Sequence, residues 1–164
     1  MMRESNEMRG ALTMQVTDRE GVLVYEMRQK NRIVTSGRSL VAQLFAGVAG
    51  GVPPSPVTHM GVGTNAAAPS DGDGSLKAER APRRAISSVD YSEISEGTGP
   101  DEVKRVRARL TAVFDFGDAN GTEPLREAGI FTAENGGVMY NRVVFEPVTK
   151  TDAFKLTLLW DIVF

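Results

Sequence analysis

The side chains that could do chemistry in this chain are few and stand apart from one another. The sequence contains one histidine, His59, and no cysteine. Cysteine nucleophiles, disulfides and cysteine-based zinc sites are therefore excluded. The strand predicted around the histidine, residues 57–62, contains no serine or carboxylate that could complete a catalytic group. We interpret His59 as a half-exposed packing residue.

Two short motifs resemble binding loops but lack the context that such loops require. Gly61-Val-Gly63 has the first two glycines of a dinucleotide-binding loop, yet no βαβ pattern surrounds it. It is interpreted as a tight turn at the end of a strand. Asp71-Gly-Asp73-Gly-Ser75 resembles the start of a calcium loop, but Pro82 occupies the twelfth position, where a carboxylate is needed. We predict no cofactor and no metal, with an irregular cation site at this turn left open.

Three glutamates, Glu123, Glu127 and Glu134, could form an acid–base pair only if the fold brought two of them together. The simpler interpretation places them in turns and on the surface. With no motif that meets its structural requirements, we predict no catalytic residue and no enzymatic activity.

Composition limits the classes of partner. The chain has 164 residues, a formal net charge of −2 and a pI near 5.5, which argues against nucleic acid as the main partner. No apolar run is long enough to span a membrane, and the charged N-terminus does not resemble a signal peptide. We expect synthesis in a cytoplasm and one domain.

The pattern of apolar residues predicts a mainly β protein. Apolar residues alternate with others along several segments, most clearly from residue 154 to residue 164. Only residues 36–48 form a convincing amphipathic helix, with Ser36 or Ser39 as its N-cap. Its apolar stripe comprises Leu40, Val41, Leu44, Phe45 and Val48. The expected fold is a two-layer β-sandwich or β-roll with one packed helix. The predicted core comprises Leu110, Phe114, Phe131, Phe154, Leu156, Leu158, Trp160 and Ile162.

Within this fold we expect a flexible tail at residues 1–10 and a single β-rich domain at residues 11–164. Residues 63–100 have little periodic apolar content, so they are predicted to form a long loop segment, with one strand around residues 85–94, that neighbouring subunits order. Arginine is enriched at protein interfaces, and arginines recur near this segment. The predicted assembly interface comprises Arg80, Arg83, Arg84, Arg105, Arg107 and Arg109.

An ordered set of motifs adds a resemblance to a known group. Thr58-His-Met-Gly-Val-Gly-Thr64 is followed by Ala68-Pro-Ser-Asp71, then by Leu125-Arg-Glu-Ala-Gly-Ile-Phe131, and then by Gly136-Gly-Val-Met-Tyr-Asn-Arg142. Together these resemble small phage structural proteins labelled as tail or tail-fibre proteins. The resemblance implies a non-enzymatic subunit of a virion or a phage-tail-like particle.

Its expected partners are other virion subunits and copies of itself, and its expected location is the virion, in the tail rather than the head. Tail, baseplate, neck, collar and fibre attachment all remain open as positions. A head-decorating protein and a receptor- or carbohydrate-binding module of a fibre are the alternatives, with a host receptor as a further partner. Sugar stacking is disfavoured because the chain has one tryptophan and three tyrosines.

Overall fold

The alternating segments form two antiparallel β-sheets that pack face to face. In the computed structural model, which describes residues 7–164, each sheet has five strands. In chain order the elements are β1 Arg9–Thr17, β2 Leu23–Lys30, β3 Arg32–Ile33, α1 Thr35–Ala46, β4 His59–Gly63, β5 Glu79–Ala85, β6 Ser88–Glu96, β7 Val103–Phe114, β8 Leu125–Phe131, β9 Met139–Val148 and β10 Lys155–Val163. The predicted mainly β sandwich with one α-helix is confirmed.

The first sheet, called sheet A, has the strand order β2-β1-β10-β7-β6. Its central strand β10 pairs with β1 on one side and with β7 on the other. Side chains on the inner face of these three strands are buried, and Trp160 is fully buried with its indole N–H donating to Asn31 at 2.8 Å. Sheet A therefore supplies one side of the apolar core, as the alternating pattern predicted.

The second sheet, called sheet B, has the order β3-β9-β8-β4-β5. The chain crosses between the sheets four times, and the two shortest connections are Asn31 between β2 and β3 and residues 86–87 between β5 and β6. At each of these two connections, consecutive strands belong to different sheets. The two inner faces close over one apolar core.

Seven of the eight predicted core residues are buried, and the exception is Phe154. Phe154 precedes β10 and lies half-buried against the edge of the core. It falls outside the strand because the chain turns at residues 151–154, where the Phe154 N–H donates to the Thr151 carbonyl.

The helix was placed correctly, but its capping was not. Predicted for residues 36–48, α1 spans Thr35–Ala46, and its N-cap residue Val34 makes no side-chain capping bond. Neither Ser36 nor Ser39 is the cap, because the helix begins one residue earlier than predicted. The Ser36 hydroxyl donates instead to a carbonyl of β9 at 2.7 Å.

Only a narrow face of α1 packs on the sandwich. Gly37 and Leu40 are its buried residues, and a Cβ on Gly37 would collide with the backbone of Tyr140. The glycine therefore allows the helix to approach β9 closely. The predicted apolar stripe is not all buried, since Leu44, Phe45 and Val48 are exposed.

The predicted tail and loop segment also require correction. Residues 1–6 lie outside the described part of the chain, but strand β1 already starts at Arg9, and Gly10 is buried opposite Ile162. Residues 63–100 are not one loop, because they contain β5 and β6, which pair with β4 and β7. Both are exposed edge strands, so neither shows the alternation by which buried strands are recognised. Within the described residues, no helix is long and apolar enough to cross a membrane.

Candidate assembly interface

An apolar groove opens at the end of the sandwich that α1 covers. Its cavity volume is about 440 Å³, and its walls come from α1, from both sheets and from the segment after the helix. Every residue that lines it is apolar or a tyrosine, and the lining includes Leu44, Val89, Tyr91, Tyr140 and Phe164. The groove can therefore pack against an apolar partner, and its lining has no charged side chain to pair with a charged one.

Large apolar side chains around this groove face solvent. Tyr91 is 74% exposed and Leu44 and Phe164 are each 45% exposed at its walls. On the same helix, Phe45 is 93% exposed. Scattered exposed apolar residues are ordinary, but several that line one apolar groove, with Phe45 next to Leu44 in the chain, are typical of a surface that another molecule covers. We call these residues, with Val89, the groove patch.

A second cluster lies on the outer face of sheet B, where adjacent strands place two opposite charges side by side. Glu127 on β8 and Arg142 on β9 are both fully buried, and the Arg142 Nε donates to the Glu127 Oε2 at 2.8 Å. Asp73 approaches the same guanidinium at 3.3 Å. The interpretation of Glu127 as a turn or surface residue was wrong, because residues 64–78 fold over this face of the sheet.

Glu127 anchors that covering loop through its backbone. Its carboxylate accepts the N–H groups of Lys77 at 3.1 Å and Ala78 at 2.7 Å. Arg142 holds the loop from the other side by donating to the Ala67 carbonyl at 2.8 Å. Leu76 from the same loop packs with buried apolar residues of α1's entry, β8 and β9. Both oxygens of Glu127 are thus engaged in holding the loop, so its ordering contacts come from within the chain.

The two candidate binding motifs have structural roles. Gly61 and Gly63 lie in β4 and not in a turn. Position 63 requires glycine because a Cβ there would collide with Glu127 and with the backbone of Ala78. In the second motif, Asp71 accepts from the Arg32 Nε at 2.7 Å, which lowers the pKa of that carboxyl. Across residues 7–164, no group of three or more histidine, cysteine or acidic side chains could hold a metal ion.

The remaining candidates stay apart. His59 is half-buried on β4, and its Nδ1 lies 2.8 Å from the hydroxyl of Thr58. Glu123 and Glu134 are exposed in turns, as expected. The fold therefore brings neither of them together with Glu127 as an acid–base pair.

The predicted core did not include Lys150, which is fully buried. Its Nζ donates to the Asn120 side chain at 2.7 Å and to the Thr151 carbonyl at 3.0 Å. Burial lowers the pKa of the amine, and nearby carboxylates, with Asp118 the foremost, oppose that shift. The lysine ties the turn before β8 to the turn before β10. A lone lysine before an apolar strand gave no signal of burial.

The three arginines predicted on the loop segment bond within the chain. Arg80 donates to the carbonyls of Ala119 and Glu123. Arg83 lies over the Phe131 ring at 3.4 Å and donates to two carbonyls of the β8–β9 turn. Arg84 pairs with Asp118 at 3.3 Å, and its side chain is 42% exposed. Arg84 thus keeps more surface for a partner than Arg83, whose side chain is 8% exposed.

The other three arginines line the outer face of β7. Arg105 pairs with Glu96, Arg107 donates to Ser92, and Arg109 makes two bonds to Asp161 at 2.7 and 2.8 Å. Their role in contacting a neighbouring subunit stays a prediction. The fold separates the two groups of three, which lie on different sheets.

No family model, curated protein or solved structure matches this chain. The resemblance to phage structural proteins therefore depends on the motifs alone. In the fold these motifs lie on β4, β8 and β9 and in the loop of residues 64–78.

Proposed function

We propose that this chain is a non-enzymatic structural subunit of a bacteriophage virion or a phage-tail-like particle. It acts by packing against other protein subunits, in a tail, baseplate, neck, collar or fibre-attachment position. The observation that carries the proposal is the groove patch, which leaves several large apolar side chains in water on an otherwise well-packed sandwich.

The shape of this surface supports a protein partner. Interface cores are enriched in aromatic residues and depleted in charged ones, as this groove is. Phe45 at 93% exposure has the size and position of an anchor residue for a partner's pocket. A carbohydrate partner is less well supported, because sugars need carboxylate or amide groups beside the aromatic rings, and the groove lining has none.

The proposal is tested in cells that encode the chain and produce particles. Particles are purified by density gradient and their proteins are identified by mass spectrometry. We expect the chain to co-purify with the particles and its gene deletion to stop particle assembly. A deletion strain that makes complete, infective or contractile particles of unchanged composition would contradict the proposal.

A pair of variants on the same helix tests the role of the groove patch. Phe45→Glu places a charge on the most exposed apolar side chain of α1 and should fail to restore assembly in the deletion strain. Gln43→Glu adds the same charge at an exposed polar position of α1 and should restore it. Equal melting temperatures of the two purified variants would show that assembly, not folding, has changed.

A further inference from the structure

The two sheets differ in how their edges are protected. Edge strands attract other strands, and natural proteins shorten them or interrupt them with proline. In sheet B, edge strand β3 has two residues and edge strand β5 contains Pro82, which has no N–H to donate. In sheet A, edge strands β2 and β6 have eight and nine residues and contain no proline. Sheet A therefore keeps two long edges that no other described strand covers.

These two edges carry apolar groups and opposite charge. Leu23 and Val24 on β2 are 49% and 50% exposed, and Val89 and Tyr91 on β6 are 45% and 74% exposed. Strand β6 contains three acidic residues and no basic one. Strand β2 contains two basic residues and one acidic one, so its net charge is 2 − 1 = +1 against −3 for β6. Each edge suits the other better than it suits a copy of itself.

The directions of the strands fit the same pairing. Each neighbouring pair in sheet A is antiparallel, and four such pairs separate β2 from β6. The two edge strands therefore run in the same direction. Subunits that share one orientation can join β6 of one copy to β2 of the next as a parallel pair.

The geometry points to a second copy of this chain as the occupant of these edges. We propose that β6 of one copy pairs with β2 of the next, so that sheet A continues from subunit to subunit, head to tail. Such a heterologous contact builds a ring or a helical stack, whereas pairing of β6 with β6 would bring six carboxylates together. This inference deepens the proposed function, on which it relies for the kind of assembly.

A row of charges on the outer face of sheet A shows how the charges of the two edges are arranged. Asp90 on β6 is the register partner of Arg109, and Arg109 is that of Asp161 on β10. Arg28 on β2 reaches the same Asp161 at 4.0 Å, and Lys30 ends the row. From edge to edge the sign thus changes from negative to positive, negative and positive. The next copy would continue this alternation with its own Asp90 beside the basic edge.

Because the chain has no cysteine, single cysteines can report which edges meet. Ser92→Cys marks β6 and Gln29→Cys marks β2, and Ala153→Cys marks an exposed turn as a control. Each variant alone and each pairwise mixture is treated with a flexible bismaleimide, on the purified protein and on particles. Circular dichroism melts check that every variant folds.

Cross-linked dimer should form in the mixture of the β6 and β2 variants and stay at the control level in either variant alone. Cross-linking of Ser92→Cys by itself to the same extent would show a two-fold contact and overturn the inference. A mixture that never exceeds the control would overturn it as well. A chain present in particles without this cross-link refutes the edge pairing and leaves the proposed function standing, whereas a cross-link in a chain absent from particles does the reverse.

Discussion

Glu127→Gln tests whether the buried ion pair holds the loop over sheet B. The substitution keeps the side chain's size but leaves the guanidinium of Arg142, which is fully buried, without its 2.8 Å partner. It also turns an amide NH₂ or a weaker acceptor towards the N–H groups of Lys77 and Ala78. Removing one partner of a buried pair costs ~3–5 kcal/mol.

We expect a loss of about 3 kcal/mol, near the lower limit, because Asp73 stays 3.3 Å from the same guanidinium. For a domain with a denaturant slope of ~2 kcal/mol per molar urea, that loss moves the unfolding midpoint down by about 1.5 M. It also removes a large share of a typical domain stability of ~5–15 kcal/mol.

The assay is equilibrium unfolding in urea, followed by the fluorescence of Trp160 and by circular dichroism. Trp160 is the chain's one tryptophan and is fully buried, so its emission reports on the core. Glu134→Gln makes the same chemical change at an exposed turn and should alter stability by less than ~0.5 kcal/mol.

Two further results complete the test. The double variant Glu127→Gln with Arg142→Met should cost less than the sum of the single variants, because the buried guanidinium is removed together with its partner. Hydrogen exchange across residues 64–78 should speed up in Glu127→Gln. If Glu127→Gln lowers the free energy of unfolding by less than ~1 kcal/mol and the exchange of these amides is unchanged, the ion pair does not hold the loop.

Three other predictions concern the core, acid stability and the helix. Trp160→Ala removes a fully buried ring and its hydrogen bond to Asn31, so urea unfolding followed by circular dichroism should show that the free energy of unfolding falls by ~3–5 kcal/mol. The hydrogen bonds from Arg109 lower the pKa of Asp161 below its ordinary 3.8, so the stability that this pair contributes is complete above that pH and is lost as pH falls through the lowered value. Unfolding curves across the acid range should therefore show a shallower decline for Asp161→Asn than for the unchanged protein, and an identical decline would count against the pair. Gly37→Ala should lower the melting temperature, at a cost of ~1–3 kcal/mol, because its Cβ would press α1 away from Tyr140; an unchanged melt would show that the helix is free to shift.

The strands that cross the core could be predicted because their buried and exposed faces produce an alternating pattern in the sequence. Along β7 and β10, residues that point inward are apolar and their neighbours are polar or aliphatic, so the period of two identifies strand, face and core together. Strands β5 and β6 lack a clear alternation of this kind, because both are edge strands whose side chains are largely exposed. Their pairing is decided by partners distant in the sequence.

The candidate site was harder to predict than the fold for the same reason. Apolar residues on α1 predicted a buried stripe, but whether Leu44 and Phe45 are covered depends on how far the sheets extend beneath the helix. Glu127 looked like a surface residue because nothing local shows that a loop returns across its face of the sheet. Neither the groove patch nor the buried ion pair is therefore visible without the tertiary structure.

The pairing of β1 with β10 sets the point in synthesis at which sheet A can form. The ninth to seventeenth residues have their partner in residues 155–163, so sheet A cannot form while the ribosome is still making the middle of the chain. Such distant pairings make folding slow, because a long loop must close before any contact compensates for the lost entropy. Until β10 is made, β1 cannot hold β2 in place, and the two edges of sheet A do not yet exist together. If copies join through these edges as proposed, no copy can pair with another before its own β10 is in place.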